Sequence, residues 1–196
     1  MKHLALFDFD GTITKKDSLV DIIKYAVGNL NYYKGLLILA PMLLAYKLKI
    51  IPNNIAKEKL IAHFFIGWDI KHFQLIAHKY SIEQIDKIIR PKAIEQIRSH
   101  QEHGDKIVIV SASMEEWLKG WCDMNNLELL ATKLEVRDNK LTGNFATANC
   151  YGIEKVNRIK EKYQLDDYET IYAYGDSKGD REMLNLADKK YYKYFN

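Results

Sequence analysis

Two cysteines in 196 residues are too few for a disulfide framework, and Cys122 and Cys150 stand in no CxxC or Cys/His spacing that would hold zinc. The six histidines show neither HxH nor HExxH spacing. A reduced, cytoplasmic protein is the expectation. The chain enters an apolar run at Leu4, which leaves no room for a signal peptide. Long apolar runs are missing as well. The most apolar stretch, Gly35 to Tyr46, lies between Lys34 and Lys47 and contains Pro41. It is too short for a bilayer span, which needs ~20 residues. Net charge is only +3, which gives no footprint for nucleic acid. Internal repeats and low-complexity linkers are absent too.

One absence is regional. Residues 15–89 contain no arginine, and eleven lysines there face six carboxylates. The positive balance suits an anionic partner, either a phosphorylated substrate or a lipid head group. A lysine-rich, solvated helical surface explains it equally well.

What is present is concentrated first in Leu4-Ala5-Leu6-Phe7-Asp8-Phe9-Asp10-Gly11-Thr12-Ile13. The apolar start reads as a buried strand of a parallel sheet. Two carboxylates follow at alternate positions, and Gly11 then breaks the strand, so Asp10 falls on a turning loop. Ligands of open α/β sheets bind beyond the carboxyl ends of strands, which is where Asp8 falls. Buried acids are costly unless paired or bound to a cation, so packing alone explains them poorly. The plain alternative is a solvated turn rich in Asp and Gly.

After Thr12 the period becomes helical. Asp17-Ser18 offers an N-cap, and a helix is expected to stop at Gly28-Asn29. Further helices are expected over Tyr32–Leu48, bent or broken near Pro41, then Ile55–Ile66, Ile70–Tyr80 and Ile82–Ile89. No strand is evident between residues 15 and 89. From Pro91 the α/β pattern returns, with a helix over Ala93–His103 and a central strand from Lys106 that ends in Ser111-Ala112-Ser113. A helix over Met114–Met124 follows. Leu129–Val136 and Lys140–Phe145 read as a hairpin about Asp138-Asn139. Helix Ile153–Tyr163 carries Lys155, strand Thr170–Tyr174 leads into Gly175-Asp176-Ser177-Lys178-Gly179-Asp180, and Tyr191–Phe195 is a candidate last strand. The fold class is therefore α/β, a three-layer, Rossmann-like parallel sheet core of residues 1–14 and 90–196 with an inserted helical cap of residues 15–89.

Three strand ends thus bring Asp8 and Asp10, Ser111, and Asp176 with Asp180 to one sheet edge, within reach of Lys155. Four carboxylates there call for a cation, and all-oxygen ligation suits Mg²⁺. A hydroxyl and an ammonium beside them suit phosphate oxygens. The sum is a phosphoryl-transfer site.

DFDGT (Asp8–Thr12), the apolar strand ending in Ser111, Lys155 and GDSKGD (Gly175–Asp180) resemble the four motifs of the haloacid dehalogenase-like hydrolase superfamily, in their order. The likeness runs from Leu4 to about Leu186. The helical insertion, the hairpin and Asn149-Cys150-Tyr151-Gly152 resemble the phosphoserine phosphatase-like branch. The apolar second helix of the insertion, with Cys150, Gly152, Glu154 and Lys155, is also similar to bacterial phosphatidylglycerophosphatases of this type.

The resemblance implies a role for each residue. Asp8 would be the nucleophile that forms an aspartyl-phosphate, and Asp10 the general acid, then base. Asp8, Asp176 and the backbone carbonyl of Asp10 would hold Mg²⁺. Ser111 and the amides near Gly11 and Ala112 would hold phosphate oxygens, and Lys155 would offset charge. Thr12 would steady the loop and Asp180 would orient Lys155 or a metal-bound water. Ser113 and Ser177 are expected to cap locally. Asp17 stands where phosphoserine phosphatases carry a Glu that reads the substrate. Their carboxylate-binding Arg has no match here, and Lys57 or Lys59 lacks its bidentate fork.

The substrate is accordingly a small phosphorylated metabolite, or a lipid phosphate such as phosphatidylglycerophosphate reached by peripheral membrane contact. The main expectation is that Leu36–Ala45 packs within the cap. A phosphoaspartate signalling or binding module is the alternative of another class, although such a switch must preserve the phosphate that Asp10 would help remove.

Overall fold

The computed structural model describes residues 2–195 and shows an α/β fold. Five parallel strands form the main sheet: β1 (His3–Phe7), β2 (Lys106–Met114), β3 (Glu128–Thr132), β6 (Thr170–Gly175) and β7 (Lys189–Tyr192). Their order is β3-β2-β1-β6-β7. The chain builds outward from β1 on one side, then crosses to β6 on the other. Strand order reverses at β1, the position where open α/β sheets place their ligands.

Period-two alternation divides the strand side chains between two cores. Ala5, Phe7, Ile107 and Ile109 join one, with Ala93 and Ile97 of α5 (Pro91–Glu102) and Trp117 and Trp121 of α6 (Glu115–Met124). Leu4, Leu6, Val108 and Val110 join the other, with Ile159 of α7 (Ile153–Lys162) and Met183 and Leu184 of α8 (Arg181–Leu186). Burial on both faces is why these strands are apolar throughout rather than alternating. Cys122 and Cys150 are buried in different cores, and burial pushes their thiols up to about 12 and about 11.

Four helices follow β1: α1 (Ser18–Lys47), α2 (Asn53–Phe65), α3 (Ile70–Glu83) and the single turn α4 (Ile85–Ile88). Asp17 caps α1, accepting from the amides of Leu19 and Val20. The expected stop at Gly28 is instead a kink inside one long element, with Gly28 at φ 78°, ψ 161°. Pro41, expected to bend or break the helix, leaves its dihedrals helical. The carbonyl that loses its partner there belongs to Leu37, which is exposed, so water can serve it.

The expected strand 129–136 is also two elements. β3 joins the main sheet beside β2, and after Lys133 the chain leaves it as β4 (Leu134–Arg137), which pairs with β5 (Lys140–Phe145). Asp138 and Asn139 turn between them at φ 48° and 60°, the positive values of a type I′ hairpin turn. This hairpin lies against the end of α2, where Gly67 N donates to Leu141 O and Leu141 N to Trp68 O, at 2.8 and 3.0 Å. The last strand sits two residues earlier than expected. There Tyr191 stacks on Tyr174, which in turn stacks on Phe7. Among the described residues, no helix is long and apolar enough to cross a membrane.

A Cβ at Gly28 would meet no atom within 4 Å, so substitution there tests the backbone alone. Gly28→Ala is expected to cost about 1–3 kcal/mol, the usual penalty of a dihedral region reserved for glycine. Urea unfolding should show a lower midpoint with an unchanged m-value.

Candidate active site

Pairing of β1 with β6 persists one residue past the strand, since Asp8 N donates to Tyr174 O at 2.9 Å. That bond carries Asp8 to the carboxyl edge of the sheet. The chain then swings through a wide turn, Phe9–Ile13, in which Gly11 has φ 85°. A Cβ at Gly11 would lie 2.5 Å from Asp176 Oδ2, so only glycine lets this turn meet the loop after β6. Thr12 Oγ1 donates to Asp8 Oδ2 at 2.9 Å and lies 3.4 Å from Asp176 Oδ1.

Lys155 reaches this edge from the first turn of α7 and is 1% exposed. Its Nζ donates to Asp8 Oδ1 at 2.6 Å, Asp180 Oδ1 at 2.7 Å and Val110 O at 2.7 Å, which uses all three of its protons. Burial alone would lower its pKa, but the charges of Asp8 and Asp180 outweigh burial and raise it. Asp180 also accepts from Ser177 N, Ser177 Oγ and Asp176 N. Burial pushes Asp180 up, yet Lys155 and these bonds hold it below the usual carboxylate range. Asp8 lacks that many donors, and burial raises it to about 7 against the pull of Lys155. Asp176 is raised as well, by burial and then by the charge of Asp180.

Carboxylate oxygens of Asp8, Asp176 and Asp180 lie within 4.8 Å of one another. One ammonium opposes these three acids, and the donors are all hard oxygens. The set fits a small divalent cation such as Mg²⁺. The side chain of Asp10 stands outside this group. It accepts from Ser18 N at 2.7 Å, Ser18 Oγ at 3.2 Å and Ser113 Oγ at 2.5 Å. Ser18 Oγ in turn accepts from Trp117 Nε1 at 3.1 Å. Burial, and next the charge of Asp17, raise Asp10 to about 6.

A cavity of about 260 Å³ opens onto these groups. Asp8, Asp10, Ser111, Ala112, Lys155 and Asp180 line its core side, and Asp17 and Lys57 line the side of the insertion. Ser111 Oγ is buried and accepts from Ser113 N at 3.0 Å. Of Lys57 and Lys59, Lys57 is the one at the cavity, where it donates to Ala112 O at 3.2 Å. Lys59 is exposed and is not in the lining. Ser177 caps its own turn as expected, through Gly179 N. Ser113 does not cap locally but binds Asp10, a contact that spans 103 positions of sequence. Ser18, Trp117, Tyr46, Asn53 and Tyr151 were not anticipated at the site. Ser18 could have been found, because its neighbour Asp17 was recognised as the cap that begins α1.

The family model for haloacid dehalogenase-like hydrolases matches residues 5–185. Protein CicA of Caulobacter vibrioides is 34% identical over 196 residues, covering 98% of this chain and 86% of that protein. A histidinol-phosphatase of Neisseria meningitidis is 26% identical over 212 residues, covering 96% and 89%. A solved structure, a phospho-aspartyl intermediate analogue of phosphoserine phosphatase, superimposes with a TM-score of 0.68 at 18% identity, covering 96% of this chain and 85% of that one. The family match spans nearly the whole chain, and the chain belongs to the haloacid dehalogenase-like hydrolases.

Proposed function

We propose that this hydrolase is a Mg²⁺-dependent phosphatase that cleaves a phosphate monoester through an aspartyl-phosphate on Asp8. One observation carries the reading: two carboxyls two residues apart are held by separate partners. Asp8 is fixed by Lys155 and Thr12, and Asp10 by Ser18 and Ser113. Each can therefore take a distinct role, one as nucleophile and one as proton carrier.

An oxygen of Asp8 attacks phosphorus as the ester P–O bond breaks, and Asp10 gives its proton to the leaving alkoxide. Asp10 then takes a proton from water, which attacks the phosphorus of the acyl phosphate, releasing phosphate and freeing the Asp8 carboxylate. Lys155 offsets charge at Asp8 and the phosphoryl oxygens, while Ser111 and the amides near Gly11 and Ala112 hold those oxygens. Asp180 positions Lys155, and Thr12 steadies Asp8. Asp8, Asp176 and the Asp10 backbone carbonyl would hold Mg²⁺, which supplies positive charge to the transferring phosphoryl group. Phosphate monoester hydrolysis is so slow unaided that ~20 kcal/mol of barrier lowering is required of the site.

Residues 15–89 act as a cap over the core of residues 1–14 and 90–196, and place Asp17 and Lys57 where they read the rest of the substrate. A polar cavity of about 260 Å³ suits a small phosphorylated metabolite. Two free, buried cysteines accord with a cytoplasmic setting. A stable phosphoaspartate switch is disfavoured, because Asp10 lines the same cavity as Asp8.

Turnover of an aryl phosphate is expected to vanish in chelator and to return with added Mg²⁺. Full turnover in chelator would refute the metal assignment.

The pH profile tests Asp10. A general acid must be protonated, so the rate falls as pH rises through its pKa. The negative charge of Asp17 raises that pKa, and Asp17→Asn should shift the alkaline limb to lower pH while asparagine still caps α1. The Ser113 hydrogen bond lowers it, so Ser113→Ala should shift the same limb to higher pH. Profiles that coincide with wild type would remove Asp10 from the proton transfer.

A further inference from the structure

The second half of α1 was expected to pack within the cap, and much of it does not. Tyr32 and Gly35 are buried, and Tyr32 stacks on Phe64 of α2. On the opposite side Leu30, Tyr33, Leu37, Leu44 and Leu48 are 57–78% exposed: 69%, 59%, 78%, 57% and 62% in turn. With the exposed Pro41 between them, their spacing of three and four residues puts all six in one sector of roughly 80°. Ile38 and Ile50, 67% and 72% exposed, extend the strip sideways and past the helix end. Single exposed leucines are ordinary, but a continuous apolar strip along a helix marks a docking surface.

Charge identifies the occupant. From Ile22 to Lys57 the chain carries no carboxylate side chain, yet it holds Lys24, Lys34, Lys47, Lys49 and Lys57. Lys34 and Lys47 lie within the exposed part of the helix, and Lys49 stands at its end. A second copy packed by a two-fold axis would bring the same lysines against one another with no acid of this segment to meet them. An anionic lipid surface meets both demands, since its head groups answer the lysines and its acyl boundary answers the leucines.

We propose that the exposed face of α1, with the Leu48–Ile50 turn, docks flat on an anionic bilayer. Docking of this face does not depend on phosphatase activity. A consequence does rest on that reading: Tyr46 and Asn53, on either side of the docking turn in sequence, line the active-site cavity, so docking brings its mouth close to the head groups.

Full-length protein would be sedimented with phosphatidylcholine vesicles, with and without phosphatidylglycerol. Binding is expected only to the anionic vesicles, weakening with salt. A Leu37→Glu, Leu44→Glu double variant should bind about tenfold or more weakly. So should a Lys34→Glu, Lys47→Glu variant. Both should keep the wild-type circular dichroism and thermal midpoint, because all four side chains are exposed. Aryl phosphate turnover should also be unchanged, as none of the four lines the cavity. Wild type that fails to sediment with anionic vesicles would overturn the proposal, as would folded variants that bind equally well. A wild-type dimer that the leucine variant dissociates, without vesicle binding, would assign the face to a second copy instead. Absence of aryl phosphate turnover in wild type would count against the phosphatase reading and leave the sedimentation result standing.

Discussion

Lys155 is the constraint on which the rest of the site depends. Its ammonium joins the end of β1 through Asp8, β2 through Val110 and the loop after β6 through Asp180. It therefore fixes three neighbouring strand ends at once, from a helix on one face of the sheet. Removing one partner of such a buried pair typically costs about 3–5 kcal/mol, because the remaining charge is left uncompensated. The arrangement is also unbalanced, since one ammonium faces Asp8 and Asp180 directly and Asp176 lies beside them. That surplus of negative charge is what a bound cation would offset. In the proposed mechanism it keeps Asp8 in demand of both Lys155 and Mg²⁺ until phosphate arrives.

A second link joins the helical insertion to the chemistry. Ser18, in the first turn of α1, binds Asp10 through both its amide and its hydroxyl, and Trp117 of α6 holds that hydroxyl. Tyr80 of α3 adds a bond to Asp21, also in the first turn of α1. The proposed proton carrier is thus held by the helix that begins the insertion, so movement of α1 and orientation of Asp10 are mechanically coupled. Lys57 makes another crossing, from α2 to the Ala112 carbonyl. Beside these polar links, Ile22, Phe73 and Tyr80 of the insertion share one buried apolar cluster with Phe7, Trp117 and Trp121.

The sheet and its edge were legible because strong local signals agreed. Apolar runs at Leu4–Phe7 and Lys106–Val110 mark strands buried on both faces, and Asp8, Ser111 and Asp176 follow such runs directly. Lys155 was legible through motif order, not through periodicity. The rest depended on tertiary context. Gly28 reads as a stop, but an isolated glycine can kink a helix whose two halves are each anchored by packing. Residues 129–136 read as one strand, since nothing in the composition shows that the chain changes sheets at Lys133. Ser113 looked like a local cap because its partner lies on a different loop. Leu37 and Leu44 looked like core, since residue type alone does not tell which side of an apolar helix has a neighbour.

The covalent step is the centre of the account, and trapping tests it most directly. Enzyme mixed with excess aryl phosphate and Mg²⁺ would be quenched in acid, treated with borohydride and digested for mass spectrometry. Borohydride reduces an acyl phosphate to the alcohol, which converts a phosphorylated aspartate to homoserine. The account predicts homoserine at position 8 in the substrate-treated sample alone. Unmodified Asp8 under conditions of rapid turnover, or homoserine at another aspartate instead, would contradict it.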